Sequence, residues 1–424
     1  MKPDKPISMI IIGAGGRGFT YAHYADLHPE QVRVVGVVEP RDHYRNKMAT
    51  DYAIASQNVT TQWQELAARP RFADAVAITT PDALHTEPAI AFAQQGYAIL
   101  LEKPMAPTAN DCRRIVRTVQ QHGNIFAVCH VLRYTEYTQK LKQIVDSGAI
   151  GEVVSINHIE PVGYWHMAHS FVRGNWRNTG ESSFMLLAKS CHDIDWLRYI
   201  VGQRCLQVSS FGALTHFKKS QKPSEARDAT CCLDCAFEPR CAYSAKKLYL
   251  GMFQRGEFWW PLEIITPDHH SETGVLNAMR TGPYGRCVYE CDNDVVDHQV
   301  VNLLYENEVT ASFTMVAFTQ LGHRRTTVFG TRGELCGDGE QITHYDFLTD
   351  KIQVTDTRAG GADAASGHGG GDYGLMHSFI QAVATGNQSL VLSGAEETLE
   401  THLTTFAAEQ SRLEGETIRI KLEG

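Results

Sequence analysis

Along the first third of the chain, short apolar runs alternate with helix-length stretches. The runs are Ser8–Ile12, Val32–Val38, Ala75–Thr79 and Ala98–Leu101, with Ile125–Val128 as a further candidate. Between them lie Gly18–Leu27, Arg41–Tyr52, Thr86–Gln95 and Thr108–His122, each long enough to form a crossover helix. Strands that are apolar end to end are buried on both faces, which is the condition of a parallel sheet. Crossovers between parallel strands are right-handed in nearly all folds, so the pattern predicts an α/β Rossmann-type doubly wound sheet.

After about Phe126 the rhythm changes. Gly151–Ile159, Gln299–Tyr305 and Thr310–Ala317 alternate apolar and polar positions, with a helix over His192–Val201 among them. Period-two alternation means one face in the core and one outside, so this part predicts an α+β unit around an open, mostly antiparallel sheet. The glycine-rich run Ala359–Gly374 has the composition of a linker, but the helical stretches Leu375–Thr385 and Ala395–Arg412 follow it, which makes it an internal loop. A nucleotide-binding domain over residues 1–128 and a substrate-binding and oligomerisation domain over 129–424 are expected, two cores being usual at 424 residues.

Composition narrows the classes. Hydrophobic residues at 43% and charged residues at 21% are ordinary for a globular chain and exclude disordered, collagenous and membrane-spanning types. A formal charge of -9 repels phosphate, so neither nucleic acid nor an anionic membrane is an expected partner. The apolar stretch Met9–Ile12 is too short for a signal segment, which points to the cytoplasm. Eleven cysteines in so long a chain are then expected as reduced thiols. Cys232, Cys235 and Cys241 offer three thiols of a zinc site, with Cys231, Cys287, Cys291 or His216 open as the fourth ligand, and no metal is assigned.

The sharpest local signal is Gly13-Ala-Gly15-Gly16-Arg17-Gly18, which follows the first strand and opens the first helix. Such glycines permit a tight turn, close approach of a pyrophosphate, and packing of helix on strand, while the helix N-terminus favours the anion. The second strand ends at Glu39, an acidic group placed to accept the adenosine ribose hydroxyls and to repel a 2′-phosphate, so NAD is the expected cofactor. Arg41, two residues on, keeps NADP open.

Three further motifs complete an order along the chain: Thr79-Thr80-Pro81-Asp82-Ala-Leu-His85, then Glu102-Lys103-Pro104, then Lys189-Ser-Cys-His192-Asp193-Ile-Asp195. With His130-Val-Leu-Arg133-Tyr134 at the domain junction, this order resembles the Gfo/Idh/MocA family of sugar and cyclitol oxidoreductases over nearly the whole chain. The resemblance implies Lys103 and His192 as catalytic residues, a tight cis-type turn at Pro104, and pairing into homodimers or homotetramers. It extends the cofactor contacts from Gly13, Gly15, Gly16, Arg17, Gly18, Glu39 and Arg41 to Thr80, Asp82, His85, Glu102, Lys103 and His130. Arg133, Tyr134, Lys189 and His192 are the matching substrate contacts, and His166, outside these motifs, is a further candidate as a companion to the base in glycoside elimination. The sequence departs from the family four residues before His192, where an aspartate is common and Ala188 stands instead.

The chemistry can be stated without the family. Moving a hydride from a carbinol carbon requires a base for the hydroxyl proton and donors for the developing oxyanion. Lys103 supplies both if burial lowers its pKa, and His192 titrates near neutrality, with Asp195 three residues on placed to hold its tautomer. Arg173, Trp176 and Arg177 offer an aromatic face and two guanidinium forks, which suits an anionic sugar. His368 and Asp372 in the glycine loop are placed to hold hydroxyls. Three functions follow from this set: net oxidation or reduction of a sugar hydroxyl with NAD, a redox-neutral NAD-dependent glycosidase working through transient C3 oxidation and elimination, and a non-catalytic NAD-binding regulator.

Overall fold

In the computed structural model, which describes residues 5–358 and 367–421, two sheets carry the molecule. The first is parallel: β1 Ile7–Ile12, β2 Val32–Val38, β3 Val59–Thr60, β4 Ala75–Ile78, β5 Ala98–Leu101 and β6 Phe126–Val128, in the order β3-β2-β1-β4-β5-β6. β1 sits at its centre, pairing with β2 on one side and β4 on the other. Met9 and Ile11 point to one apolar layer and Ile10 and Ile12 to the opposite one, which is why these strands are apolar at every position. The two-residue β3 is too short to leave a pattern in the sequence.

The crossover helices follow from their stripes and caps. In Ala109–His122 the buried residues Cys112, Ile115, Val116 and Val119 recur at helical spacing. Thr108 caps the helix by accepting from the Asp111 amide, and Gly123 ends it in the left-handed region.

The second sheet has nine strands in the order β14-β13-β12-β11-β7-β10-β9-β8-β15. They are β7 Val153–Pro161, β8 Cys205–Ala213, β9 His298–Tyr305, β10 Thr310–Val316, β11 Arg325–Gly330, β12 Gly333–Gly337, β13 Gln341–Asp346, β14 Lys351–Asp356 and β15 Ile418–Arg419. The pairing of β7 with β10 is parallel and the others are antiparallel, so the sheet is mixed. The helices Cys191–Val201 and Ala395–Glu414 contribute to the core on its inner face, through Ile194, Trp196 and Leu197 in the first and Ala407 and Ala408 in the second.

Two features reach beyond the sequence pattern. The helix Gly371–Thr385, far along the chain, inserts Leu375, Met376, Phe379 and Ile380 into the core beside β1, so the late sequence completes the first sheet's packing. Residues 219–285 between β8 and β9 fold into short helical turns with a small core of their own around Tyr249, Met252, Leu262, Val275 and Met279. Part of the expected glycine loop, 359–366, lies outside the described residues. Among the described residues no helix is long and apolar enough to cross a membrane.

Candidate active site

The glycine turn after β1 is built as its residues require. Gly13 has φ +95, and a Cβ there would lie 2.7 Å from the Thr79 carbonyl oxygen; a Cβ on Gly18 would lie 2.1 Å from the Gly13 carbonyl oxygen. These two glycines are dictated by the protein itself. Gly15 and Gly16 are not: a Cβ on either would meet only the tips of Arg41 and Ile264, at 3.6 and 3.9 Å. The turn therefore keeps a bare backbone face at the N-terminus of the helix Gly16–Leu27, a cradle that fits a pyrophosphate. Glu39, 2% exposed, closes the same corner by accepting from the Ala14 amide at 2.9 Å. Its carboxylate also binds Arg41 Nε at 2.7 Å and Nη2 at 2.9 Å, so ribose hydroxyls would exchange with a guanidinium on a half-exposed side chain. Burial works against the Glu39 charge, but the bonds from Arg41 and Ala14 outweigh it and hold the carboxyl below its usual range.

Lys103 stands where β5 ends, followed by a cis bond to Pro104, and its Nζ donates to the Ala188 carbonyl at 2.7 Å. Ala188, four residues before His192, thus contributes a backbone oxygen to the lysine. His192 is buried, and its Nδ1 has no hydrogen-bond partner. Burial, and then the neighbouring charges of Lys103, His130 and His368, push its pKa well below the ordinary histidine value, so the ring is neutral near pH 7. His130 lies against it, ring centroids 5.7 Å apart, and is pushed down to about 3, mainly by burial. His368 is 6.1 Å from His192 on another side and binds Asp372 at 2.9 Å. Lys189 is 3.2 Å from Glu160, and burial lowers its pKa with help from Arg324 and Lys103. Lys103, His192, Lys189, His130, His166 and His368 therefore form one electrostatically connected cluster.

Several expected contacts are placed elsewhere. Arg133, 0% exposed, forms a two-pronged pair with Asp195 at 2.7 and 2.8 Å and a second pair with Glu397, and Tyr134 hydrogen-bonds Ser393 in the core. Neither faces the cleft, and Asp195, spent on Arg133, does not orient His192. Arg173 is buried against the carbonyls of Arg286 and Tyr243 at 2.7 and 2.8 Å. Arg177 is in a surface network with Asp292 and Glu181. Arg17 bridges Glu102, Tyr21 and Asp372, so this guanidinium and the Glu102 carboxylate are committed to each other. Against burial, Arg17 and His368 hold Asp372 down at about 2. Asp82 accepts from Ser183 at 2.8 Å and Ser182 at 3.2 Å, with Trp176 Nε1 at 3.5 Å, which latches the first sheet's loop to the second domain. His85 ties the same loop to Pro104 through the Thr80 and Pro104 carbonyls, both at 2.8 Å. Arg133, Arg177 and Arg17 are taken up by opposite charges once the chain folds, whereas Tyr134, Arg173, Asp82 and His85 are taken up by hydroxyls and backbone carbonyls.

Sequence reasoning missed Glu160 and Arg324. Arg324 is 2.7 Å from Glu160 and 2.8 Å from Asp193, joining β7, the helix of His192 and the segment before β11. Neither residue belongs to a motif, and only the sheet brings them together. Cys232, Cys235, Cys241 and Cys287 line one small cavity, yet among the described residues no group of three or more His, Cys, Asp or Glu is set to hold a metal ion, and all eleven cysteines are free thiols.

The buried histidines also set a pH dependence. His130 and His169 are depressed to about 3 and His402 to about 4, in each case first by burial. The unfolded chain binds protons on them near pH 6.5 while the folded chain does not, so their stabilisation is complete above about 6.5 and is lost as pH falls. Each is worth on the order of 1.4 kcal/mol per pH unit until its folded pKa is reached. A melting temperature that holds from pH 7 to about 6.5 and then falls towards pH 5 is expected; an unchanged melting temperature down to pH 5 would contradict these burials.

A parallel sheet with a glycine turn aimed at a dinucleotide, joined to a sheet domain that closes over a lysine and a histidine, defines a NAD-binding oxidoreductase. Two family models confirm the class: residues 7–130 match the oxidoreductase family's NAD-binding Rossmann fold, and residues 142–422 its C-terminal alpha/beta domain. The chain belongs to this family, Gfo/Idh/MocA. It is 23% identical over 343 residues, 76% of each chain, to the putative oxidoreductase YteT of Bacillus subtilis. It is 28% identical to the 2,7-anhydro-N-acetylneuraminate hydratase of Mediterraneibacter gnavus over 49% of this chain and 53% of that one. Among solved structures, levoglucosan dehydrogenase in complex with NADH and levoglucosan superimposes with TM-score 0.71 at 17% identity, covering 98% of this chain and 100% of that one. An oxidoreductase from Agrobacterium radiobacter, in complex with NAD+, L-tartaric acid and magnesium, does so with TM-score 0.71 at 14% identity, covering 98% of both.

Proposed function

We propose that this protein transfers a hydride between a hydroxyl-bearing carbon of a sugar or glycoside and NAD, with Lys103 handling the hydroxyl proton. The observation that carries the reading is Lys103 at the carboxyl end of the first sheet, where folds of this kind bind ligands, bonded to the Ala188 carbonyl four residues before the buried His192, which feels its charge. NAD, when bound, supplies the hydride acceptor. Lys103 takes the proton in its neutral form and, once protonated, stabilises the oxyanion on return. Lys189, its own pKa lowered by burial and by Arg324 and Lys103, is the second amine at this site. His192, with its pKa far below neutrality, accepts a hydrogen bond from the substrate hydroxyl and orients it while leaving the proton to the lysine. Trp176, beside the Asp82 latch, would cover an apolar face of the sugar. The outer face of the second sheet, where Ile159 and Phe211 stand exposed, is the surface through which copies of the chain would pair.

A specific feature favours the redox-neutral glycosidase as a second reading. Ile264, in the segment Leu262–Ile265 inserted between β8 and β9, lies against the glycine turn at Gly16, so the insertion flanks the cofactor cleft. A dinucleotide flanked in this way would be slower to leave between turnovers, which suits a hydride that returns to its substrate. Hydratases, which perform no net redox change, are among the similar proteins.

A panel of nitrophenyl glycosides given with stoichiometric NAD separates the readings. Accumulating NADH with oxidised sugar supports the dehydrogenase, while aglycone release without net NADH supports the glycosidase. Dinucleotide binding with no turnover on any glycoside or free sugar would overturn both.

A further inference from the structure

A second concave surface adjoins the cluster. It is a cavity of about 330 Å³ between the turn that follows β7 and the inserted segment, within the size range of small-molecule sites. Three of the chain's six tryptophans line it, Trp165, Trp259 and Trp260, together with Tyr164 and Tyr243. Single exposed aromatics are ordinary, but five around one cavity are not expected of a surface that meets only water. Trp259 is 60% exposed at the rim and packs no core. The ammonium of Lys247 lies over the Tyr164 ring at 5.8 Å, and among the described residues no carboxylate pairs with it. By contrast Arg255, also in the lining, is paired with Glu257. Arg173, 1% exposed, reaches the same cavity wall and leaves its Nη1 without a partner.

The cavity borders the reacting site across His166. The Trp260 ring is 4.9 Å from His166, and Trp165 is 5.2 Å from Trp260. His166 in turn lies near enough to Lys103 and Lys189 to feel both charges. One wall is therefore shared, with the proposed sugar on one side and an aromatic, cationic chamber on the other.

We propose that this chamber binds a second sugar ring, one carrying an anionic substituent, of a glycoside whose first ring is held at Lys103 and His192. Aromatic faces cover the apolar side of a pyranose, and the Lys247 ammonium meets a carboxylate or sulfate, with the buried Arg173 adding positive charge behind the wall. The proposal rests on the sugar-hydroxyl reading of the neighbouring site and narrows its substrate class to acidic disaccharides or longer.

Saturation-transfer NMR on the full chain loaded with NAD tests it, using digalacturonate as the carboxylate probe, a sulfated chondroitin disaccharide as the sulfate probe, and cellobiose as the neutral one. Magnetisation should reach both rings of at least one acidic disaccharide and be weaker for cellobiose. Trp259→Ala should lower affinity for that disaccharide roughly tenfold and remove the signal from one ring only. Lys247→Ala should abolish the preference over cellobiose, while NAD affinity stays unchanged in both variants. No signal from any acidic disaccharide, or equal binding by wild type and both variants, would overturn the chamber. Lys103→Ala separates the two claims: it should keep disaccharide binding whatever happens to turnover, so lost chemistry with intact binding leaves this inference standing.

Discussion

Lys103→Ala is expected to lower turnover by about 10²-fold or more while leaving NAD affinity within a few-fold of wild type. The glycine turn and the Glu39 corner are the residues that would hold the dinucleotide, and the lysine's Nζ donates to the Ala188 carbonyl, with no carboxylate in an ion pair with it among the described residues. Truncation thus removes a proton carrier, while the buried Glu102 carboxylate, which also feels the Lys103 charge, keeps its ion pair with Arg17. Lys103→Arg should fail as a substitute, because a guanidinium does not give up its proton in a protein. Small primary amines added to the alanine variant should restore part of the rate, which a purely structural lysine would not show. Turnover of Lys103→Ala within threefold of wild type would move the base elsewhere, with Lys189, already depressed by burial, as the next to test.

Arg133→Ala should destabilise the protein by about 3–5 kcal/mol, because it strands the buried Asp195 carboxylate without its two-pronged partner. In a chain of this size that is a fall in melting temperature of several degrees. The double variant Arg133→Met with Asp195→Leu should recover much of the loss, since two apolar side chains leave no unpaired charge. Thermal melts with KM measured well below the transition decide the matter. A raised KM with an unchanged melting temperature would return Arg133 to the substrate pocket, against its position in the core.

The contrast between Lys103 and Arg133 shows how far a motif can be read. Both are cations beside recognisable motifs. Lys103 ends a strand, so its place at the ligand edge of the sheet follows from the strand pattern alone. Arg133 sits in a turn after β6, and whether it meets substrate or a carboxylate depends on where Asp195 and Glu397 arrive, 62 and 264 residues later. The same holds for Arg17 with Asp372 and for Arg173 among backbone carbonyls. Long-range pairing of charges has no local signature, which is also why Glu160 and Arg324 went unseen.

By itself the sequence determined the parallel sheet, the glycine turn, the acidic end of β2 and the lysine after β5, because hydrophobic period, glycine sterics and strand ends are properties of a few adjacent residues. The tertiary structure alone decided which charges neutralise one another, that the helix 371–385 completes the first core, and that the inserted segment builds an aromatic chamber beside the lysine. Those outcomes depend on groups distant in sequence meeting in a medium of low dielectric, where an unpaired charge is too costly to persist and each must find its partner.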